Sequence, residues 1–239
     1  MKVALITGAS GGLGSVVTPA FLDAGYRVSA VALDWPKRRR ATRSVIEIAA
    51  DLTSSAAAKA AVARSVKQLG GLDCLLHLVG AFVGDQRVED TPADVWDEML
   101  DVNLQAAANT MRAAIPAMRK RGGGRIVVIG STTAVSPVVT WSAFNAAMGG
   151  LCALVQTAAA ELREAGITVN ALLPTTIDTP AVREFVPNED PSRWVDPKSL
   201  ASMMLWLCSD AGRDVSGALI PFVGRQPHPC HHWHGLTDI

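Results

Sequence analysis

Near the amino end the chain reads Thr7-Gly8-Ala9-Ser10-Gly11-Gly12-Leu13-Gly14, placed directly between a short apolar run and a helical stretch. That context gives a glycine pattern chemical meaning: glycines let the backbone approach a pyrophosphate, and the following helix offers free N–H groups and a positive dipole end. Gly8, Ser10, Gly12, Leu13 and Gly14 are therefore the candidate contacts for a dinucleotide. Asp34, at the end of the second apolar run, is placed to accept hydrogen bonds from the adenosine ribose hydroxyls and to repel a 2′-phosphate, which favours NAD(H) over NADP(H). Arg38, Arg39 and Arg40 follow closely and keep NADP(H) as the alternative.

The elements that must position these residues follow from alternation. Short β-branched runs alternate with Ala-rich helical stretches, the pattern of a parallel sheet covered by helices on both faces. Seven strands are expected, at 3–7, 27–33, 44–49, 74–78, 125–130, 168–173 and 218–222. The run Thr91-Pro92-Ala93-Asp94 predicts a helix start, with threonine as the cap, proline at the first helical position and an acid at the third. The stretch 175–197, with Pro180, Pro187, Pro191 and Pro197, reads as an irregular, mobile loop over the open end of the sheet. Ligands in such sheets bind at the carboxyl ends of the strands.

Over residues 2 to 225 the order and spacing resemble the short-chain dehydrogenase/reductase family in its classical single-domain form. The resemblance implies a doubly wound Rossmann-like three-layer sandwich, a nicotinamide cofactor and a carbonyl or alcohol substrate. It places Asp51 and Leu52 at the adenine, and Gly80 at the end of the family's Asn-Asn-Ala-Gly motif, from which His77, Leu78 and Val79 depart. His77 reads as a packing or hydrogen-bonding histidine. Asn103 matches the helix asparagine that organises a water and the active-site lysine. Pro174 opens the loop in which Ile177 and Thr179 would hold the nicotinamide carboxamide, with Thr175 in place of the usual glycine. Ser131 matches the serine that hydrogen-bonds the substrate carbonyl.

Counting thirteen residues on from Ser131 reaches Phe144, where the resemblance calls for a tyrosine, and four more reach Met148, where it calls for a lysine. The chain's single tyrosine is Tyr26, and no lysine stands between Lys120 and Lys198. In the family the tyrosine transfers the carbonyl proton and the lysine lowers its pKa and holds the nicotinamide ribose. The two changes are coupled, because positions four apart share a helix face and a lysine without partners would be costly to bury. Three readings follow: an oxidoreductase with impaired or replaced chemistry, using Ser131 and a water; a non-catalytic NAD-binding subunit paired with an active paralogue; and a non-redox isomerase or cyclase using an apolar cavity shaped by Phe82, Trp141, Phe144 and Met148.

Bulk properties set the remaining limits. Twenty-two basic residues balance twenty-two acidic ones in 239, so there is no global field to draw nucleic acid or an anionic membrane. A cytoplasmic protein with reduced thiols is expected, since Cys74, Cys152, Cys208 and Cys230 lack paired spacing. Residues 1–225 read as one domain and 226–239 as a separate tail. The tail's His228, Cys230, His231, His232 and His234 read as an irregular surface or interface segment rather than a metal site. Assembly as a homodimer or homotetramer is expected, through the helix around 141–165, where Gly149 and Gly150 would let helices of two subunits approach.

Overall fold

The computed structural model describes residues 1–35 and 42–225. Seven parallel strands, β1 (Val3–Thr7), β2 (Arg27–Ala32), β3 (Val45–Ala49), β4 (Cys74–His77), β5 (Gly124–Ile129), β6 (Ile167–Pro174) and β7 (Leu219–Phe222), form one sheet in the order β3-β2-β1-β4-β5-β6-β7. All seven expected strands are present, with no end shifted by more than one residue. Every residue of β1, β4 and β6 is buried, as strands covered on both faces must be.

Two apolar layers flank the sheet. On one face lie α2 (Ser55–Leu69), α3 (Ala93–Leu100), α4 (Ala106–Arg121) and α5 (Ser142–Glu161), closing a core that includes Leu75, Met99, Met111, Ile126 and Leu151. On the other lie α1 (Gly14–Asp23) and α7 (Pro197–Leu207), whose core centres on Ile6, Phe21, Leu76, Leu172 and Met204. The chain reverses direction along the sheet between β1 and β4, so loops diverge there and leave a cleft at the carboxyl ends of the strands.

Three expectations need correction. Helix α3 starts at Ala93 with Pro92 as its cap residue, and no side chain caps it. The Thr91 hydroxyl instead donates to the Arg87 carbonyl at 2.7 Å, which removes it from the capping role. The stretch 175–197 is also more regular than its prolines suggested. It contains α6 (Pro180–Phe185), a 3-10 turn at Pro191–Arg193 and a parallel bridge between Ile177 and Val195. Thr179, Asp190 and Asp196 each cap the element that the next residue, a proline, begins. Finally, Gly150 serves packing within the chain, because a Cβ there would lie 2.9 Å from Leu104 Cδ2, whereas Gly149 faces open space.

Helices α3 and α4 are joined by a π-helical turn, Asp101–Gln105, whose backbone stays helical at both ends. Helix α5 is long and apolar enough by composition to cross a membrane, and half of it is buried within this fold. Cys74, Cys152 and Cys208 are buried free thiols; Cys230 and the rest of the tail, like Arg38 to Arg40, lie outside the described residues.

The edge of the sheet hangs on Asn170. Its buried amide donates to the Val215 carbonyl at 2.8 Å and accepts from the Ala218 N–H at 3.0 Å, fastening β6 to the approach of β7. Asn170→Ala strands both backbone groups and is expected to cost about 2 kcal/mol, read as a lowered midpoint in urea unfolding.

Candidate active site

The cleft is built from five exits, those of the neighbouring strands β2 and β3 taken together. At the first, Gly8 adopts φ +64°, and a Cβ there would meet the Leu78 backbone at 3.0 Å, so glycine is required both by conformation and by approach. Gly14 opens α1 with its Cα turned toward the preceding loop, where a Cβ would lie 2.3 Å from the Gly8 carbonyl oxygen. Gly12 faces Thr179 across the cleft, at 2.6 Å for the same test. Leu13 is the cap residue of α1 and makes no side-chain cap; the Ser15 and Val16 N–H groups donate to the Gly11 and Leu13 carbonyls at 2.9 and 3.0 Å, so what this helix start offers an anion is its positive dipole end. The Ser15 hydroxyl donates to the Gly12 carbonyl at 2.7 Å and steadies the turn.

At the second exit, Asp34 stands exposed just beyond β2. After β3, one Asp51 carboxylate oxygen accepts from the Thr53 N–H and hydroxyl at 3.0 and 2.7 Å. Leu52 is buried, and its carbonyl accepts from Asn109 of α4. The third exit follows β4. There the Thr7 hydroxyl accepts from the Leu78 N–H and lies 3.1 Å from His77 Nδ1. His77 is fully buried and its Nε2 has no protein partner. A charged ring would carry an N–H at each nitrogen in an apolar setting, so burial lowers its pKa to about 4. It is a packing and hydrogen-bonding residue, not an acid.

Asn103 lies in the π turn and closes the site from the side. Its amide donates to the Met99 carbonyl at 3.0 Å, and its oxygen accepts from the Ala81 N–H at 3.0 Å. A Cβ on Gly80 would meet that oxygen at 3.2 Å. At the fourth exit, Ser131 caps the 3-10 turn Thr132–Ala134. Its Oγ accepts from both the N–H and the hydroxyl of Thr133, at 3.2 and 3.1 Å. With both lone pairs engaged, the capacity left to Ser131 is donation of its own proton. At the fifth exit Pro174 ends β6, Ile177 bridges to Val195, and buried Thr179 caps α6 by accepting from the Val182 N–H.

Phe144 and Met148 lie one turn apart on the buried face of α5. The Phe144 ring meets Phe82 edge-on at 5.1 Å and Trp141 at 6.3 Å. The loop before α5 is fixed by Asn145, whose amide donates to the Val138 carbonyl at 2.8 Å.

A model of the family described as short chain dehydrogenase matches residues 2–190. The chain belongs to this family. Among curated short-chain dehydrogenases, it is 28% identical over 253 residues to D-beta-hydroxybutyrate dehydrogenase of Rhizobium meliloti (strain 1021), covering 93% of this chain and 97% of that one. It is 30% identical to dehydrogenase/reductase SDR family member 4 of Bos taurus, covering 93% and 86%. Among solved structures it resembles the 3-ketoacyl-(acyl-carrier-protein) reductase of Brucella melitensis complexed with NADH, with TM-score 0.84, 28% identity and coverage of 94% and 98%. The carveol dehydrogenase of Mycobacterium avium in complex with NAD gives TM-score 0.84 at 27% identity, covering 94% and 97%. Short-chain dehydrogenases act on small molecules with a nicotinamide cofactor, and this fold and these relatives make the chain a homologue of such oxidoreductases.

Sequence reading missed Thr133, whose signal was a hydroxyl two residues past Ser131.

The pKa of His77 gives a stability prediction. Its folded value, about 4, lies below the ordinary 6.5, so the native state binds fewer protons than the unfolded one between those values and stability falls as pH drops through that window. The neutral ring's contribution is complete above pH 6.5 and is lost toward pH 4, by roughly 3 kcal/mol. Denaturant unfolding of His77→Asn between pH 7 and 4 should show a correspondingly flatter decline than the parent; parallel curves would contradict this.

Proposed function

We propose that this short-chain dehydrogenase homologue binds NAD(H) in preference to NADP(H) and that its ordinary carbonyl/alcohol chemistry is impaired or replaced. The observation that carries the reading is the glycine loop: added Cβ atoms at Gly8, Gly12 and Gly14 would crowd Leu78, Thr179 and the loop's own backbone, so only glycines allow the turn to fold this tightly between β1 and α1. A tight glycine turn seated between a strand end and the start of a helix with no side-chain cap fits a pyrophosphate. Asp34, exposed at the end of β2, would take the adenosine ribose, with Asp51 and Leu52 beside the adenine. Gly80, Asn103, Pro174, Ile177 and Thr179 border the nicotinamide end. When bound, the nicotinamide would supply or accept hydride.

The chain's own residues divide the remaining work unevenly. Ser131, with its oxygen saturated by Thr133, is set to donate to a substrate oxygen. Phe144 and Met148, on our reading at the family's tyrosine and lysine positions, have no proton to transfer and no charge to hold a ribose. Loss of a positioned acid costs about 10²–10⁴ in rate. Asn103, whose side chain is committed to Met99 and Ala81, remains as a support of the cleft wall. The aromatic packing of Phe144 also supports a second reading, non-redox conversion of a substrate in an apolar pocket.

Calorimetric titration should give tighter binding for NADH than for NADPH, and Gly14→Val should abolish both by crowding the glycine loop. Equal or stronger NADPH binding would contradict the role of Asp34. Catalysis has its own test. The double variant Phe144→Tyr with Met148→Lys should raise NADH-dependent ketone reduction by at least about 10² over the parent, with little effect from either change alone. A folded double variant that binds NADH and shows no gain across a broad carbonyl panel would favour the non-redox reading.

A further inference from the structure

The cleft has an aromatic wall that extends past the reacting end. Phe82 is its hub: its ring meets Trp141 at 4.5 Å, Phe144 at 5.1 Å and Phe185 of α6 at 6.4 Å, all edge-on and the last two nearly perpendicular. The rings come from three separate segments, after β4, at the head of α5 and on α6. Two features show that this convergence is built in. Gly84 lies where a Cβ would strike the Phe82 ring at 2.6 Å and the Trp141 indole at 2.7 Å. The backbone is also bent to close the wall. Asp85 and Thr140 both adopt positive φ, at 64° and 67°, on either side of a bridge in which the Gln86 N–H donates to the Thr140 carbonyl at 2.9 Å. Non-glycine residues in that conformation mark places where the surroundings impose strain.

The wall stays open on one side. Phe144 is buried, Phe82 is 38% exposed and Phe185 is 72% exposed, so free ring surface increases outward from α5 to α6. Charge selects further. Residues 81–90 and 180–190, which carry Phe82 and Phe185, each hold three carboxylates to one guanidinium. The guanidinium of Arg183 is already paired with Asp178 through two hydrogen bonds, at 2.6 and 2.8 Å. A carboxylate-bearing substrate would thus meet net negative charge and no free cation on α6, whereas an uncharged ring meets matching aromatic edges and faces.

Building on the proposed assignment of the substrate end of the cleft, we infer that the ligand is an uncharged carbonyl or alcohol carried on a planar or near-planar ring system, packed against the exposed ring surfaces of Phe82 and Phe185 with its oxygen toward Ser131. This separates the chain from its relative named for hydroxybutyrate, a small carboxylate. Specificity then rests on Phe82 and Phe185, with Gly84 as the positioning residue.

The test uses the full chain, first with NADH and then with the bicyclic aryl ketone α-tetralone and with 3-hydroxybutyrate, by calorimetry. α-Tetralone should bind and 3-hydroxybutyrate should not, and Phe185→Ala and Phe82→Leu should each weaken α-tetralone binding by about tenfold. Phe185 is largely exposed, so its variant keeps the test independent of folding. Binding of 3-hydroxybutyrate as tight as that of α-tetralone, or α-tetralone affinity unmoved by both substitutions, overturns the inference. So does dissociation of an oligomer by Phe185→Ala with unchanged ketone affinity, which would make the wall a subunit contact. Failure of NADH to bind would count against the cofactor reading alone, because the ketone is also titrated into cofactor-free protein and must give the same ranking.

Discussion

One hydroxyl fastens the two strands between which the cleft opens. Thr7 ends β1, and its oxygen takes the Leu78 N–H while lying against His77, both at the end of β4. Those strands are neighbours in the sheet, and the chain leaves them in opposite directions. Any loosening there would separate Gly8 from the Leu78 backbone, which a Cβ on Gly8 would meet at 3.0 Å. The placement of the glycine loop, the start of α1 and the segment from Val79 to Phe82 all follow from that join. Because His77 contributes in its neutral form, the join is made of dipoles alone and needs no counter-charge in a region with none to offer.

Around this join the site separates into a rigid half and an adaptable half. The rigid half is backbone: glycines, the carbonyl of Leu52 held by Asn109, and the Asn103 amide spanning Met99 and Ala81. Each of these polar groups is satisfied within the fold, so ligand binding there requires little reordering. The adaptable half is the ring cluster, held by edge-to-face contacts that tolerate small rotations and ending on a short helix at the surface. A family fold varies its substrates through such an outer layer while the inner one stays fixed.

The sheet was legible because β-branched runs buried on both faces have no other good reading, and the glycine loop was legible because its place between strand and helix gave it context. Errors came where one residue type carried two possible meanings. Thr91 resembled a cap until its hydroxyl was seen to turn back to Arg87. Prolines at 180, 191 and 197 suggested irregularity, yet each follows a residue that caps through its side chain, so the same letters spelled three short starts. The aromatic wall was half legible. Phe82, Trp141 and Phe144 could be guessed as neighbours, whereas Phe185 and the need for glycine at 84 depend on how far α6 and the strained loops reach in space, which no local pattern encodes.

The π turn between α3 and α4 makes one continuous rod of residues 93–121 with a phase error in the middle. A π turn acts as a single extra residue within an α-helix, and one residue rotates a helix by about 100°. Helix α3 therefore faces α5, whereas α4, on the same axis, faces α2. Removing one residue from 101–105 would restore regular winding and return both halves to one phase. Either α4 would lose its seat on α2, or Asn103 and Leu104 would swing away from Ala81 and Gly150. The length of this segment is thus as tightly fixed as any side chain in the cleft, and a shortening that looks harmless in sequence would uncouple the two ends of the rod.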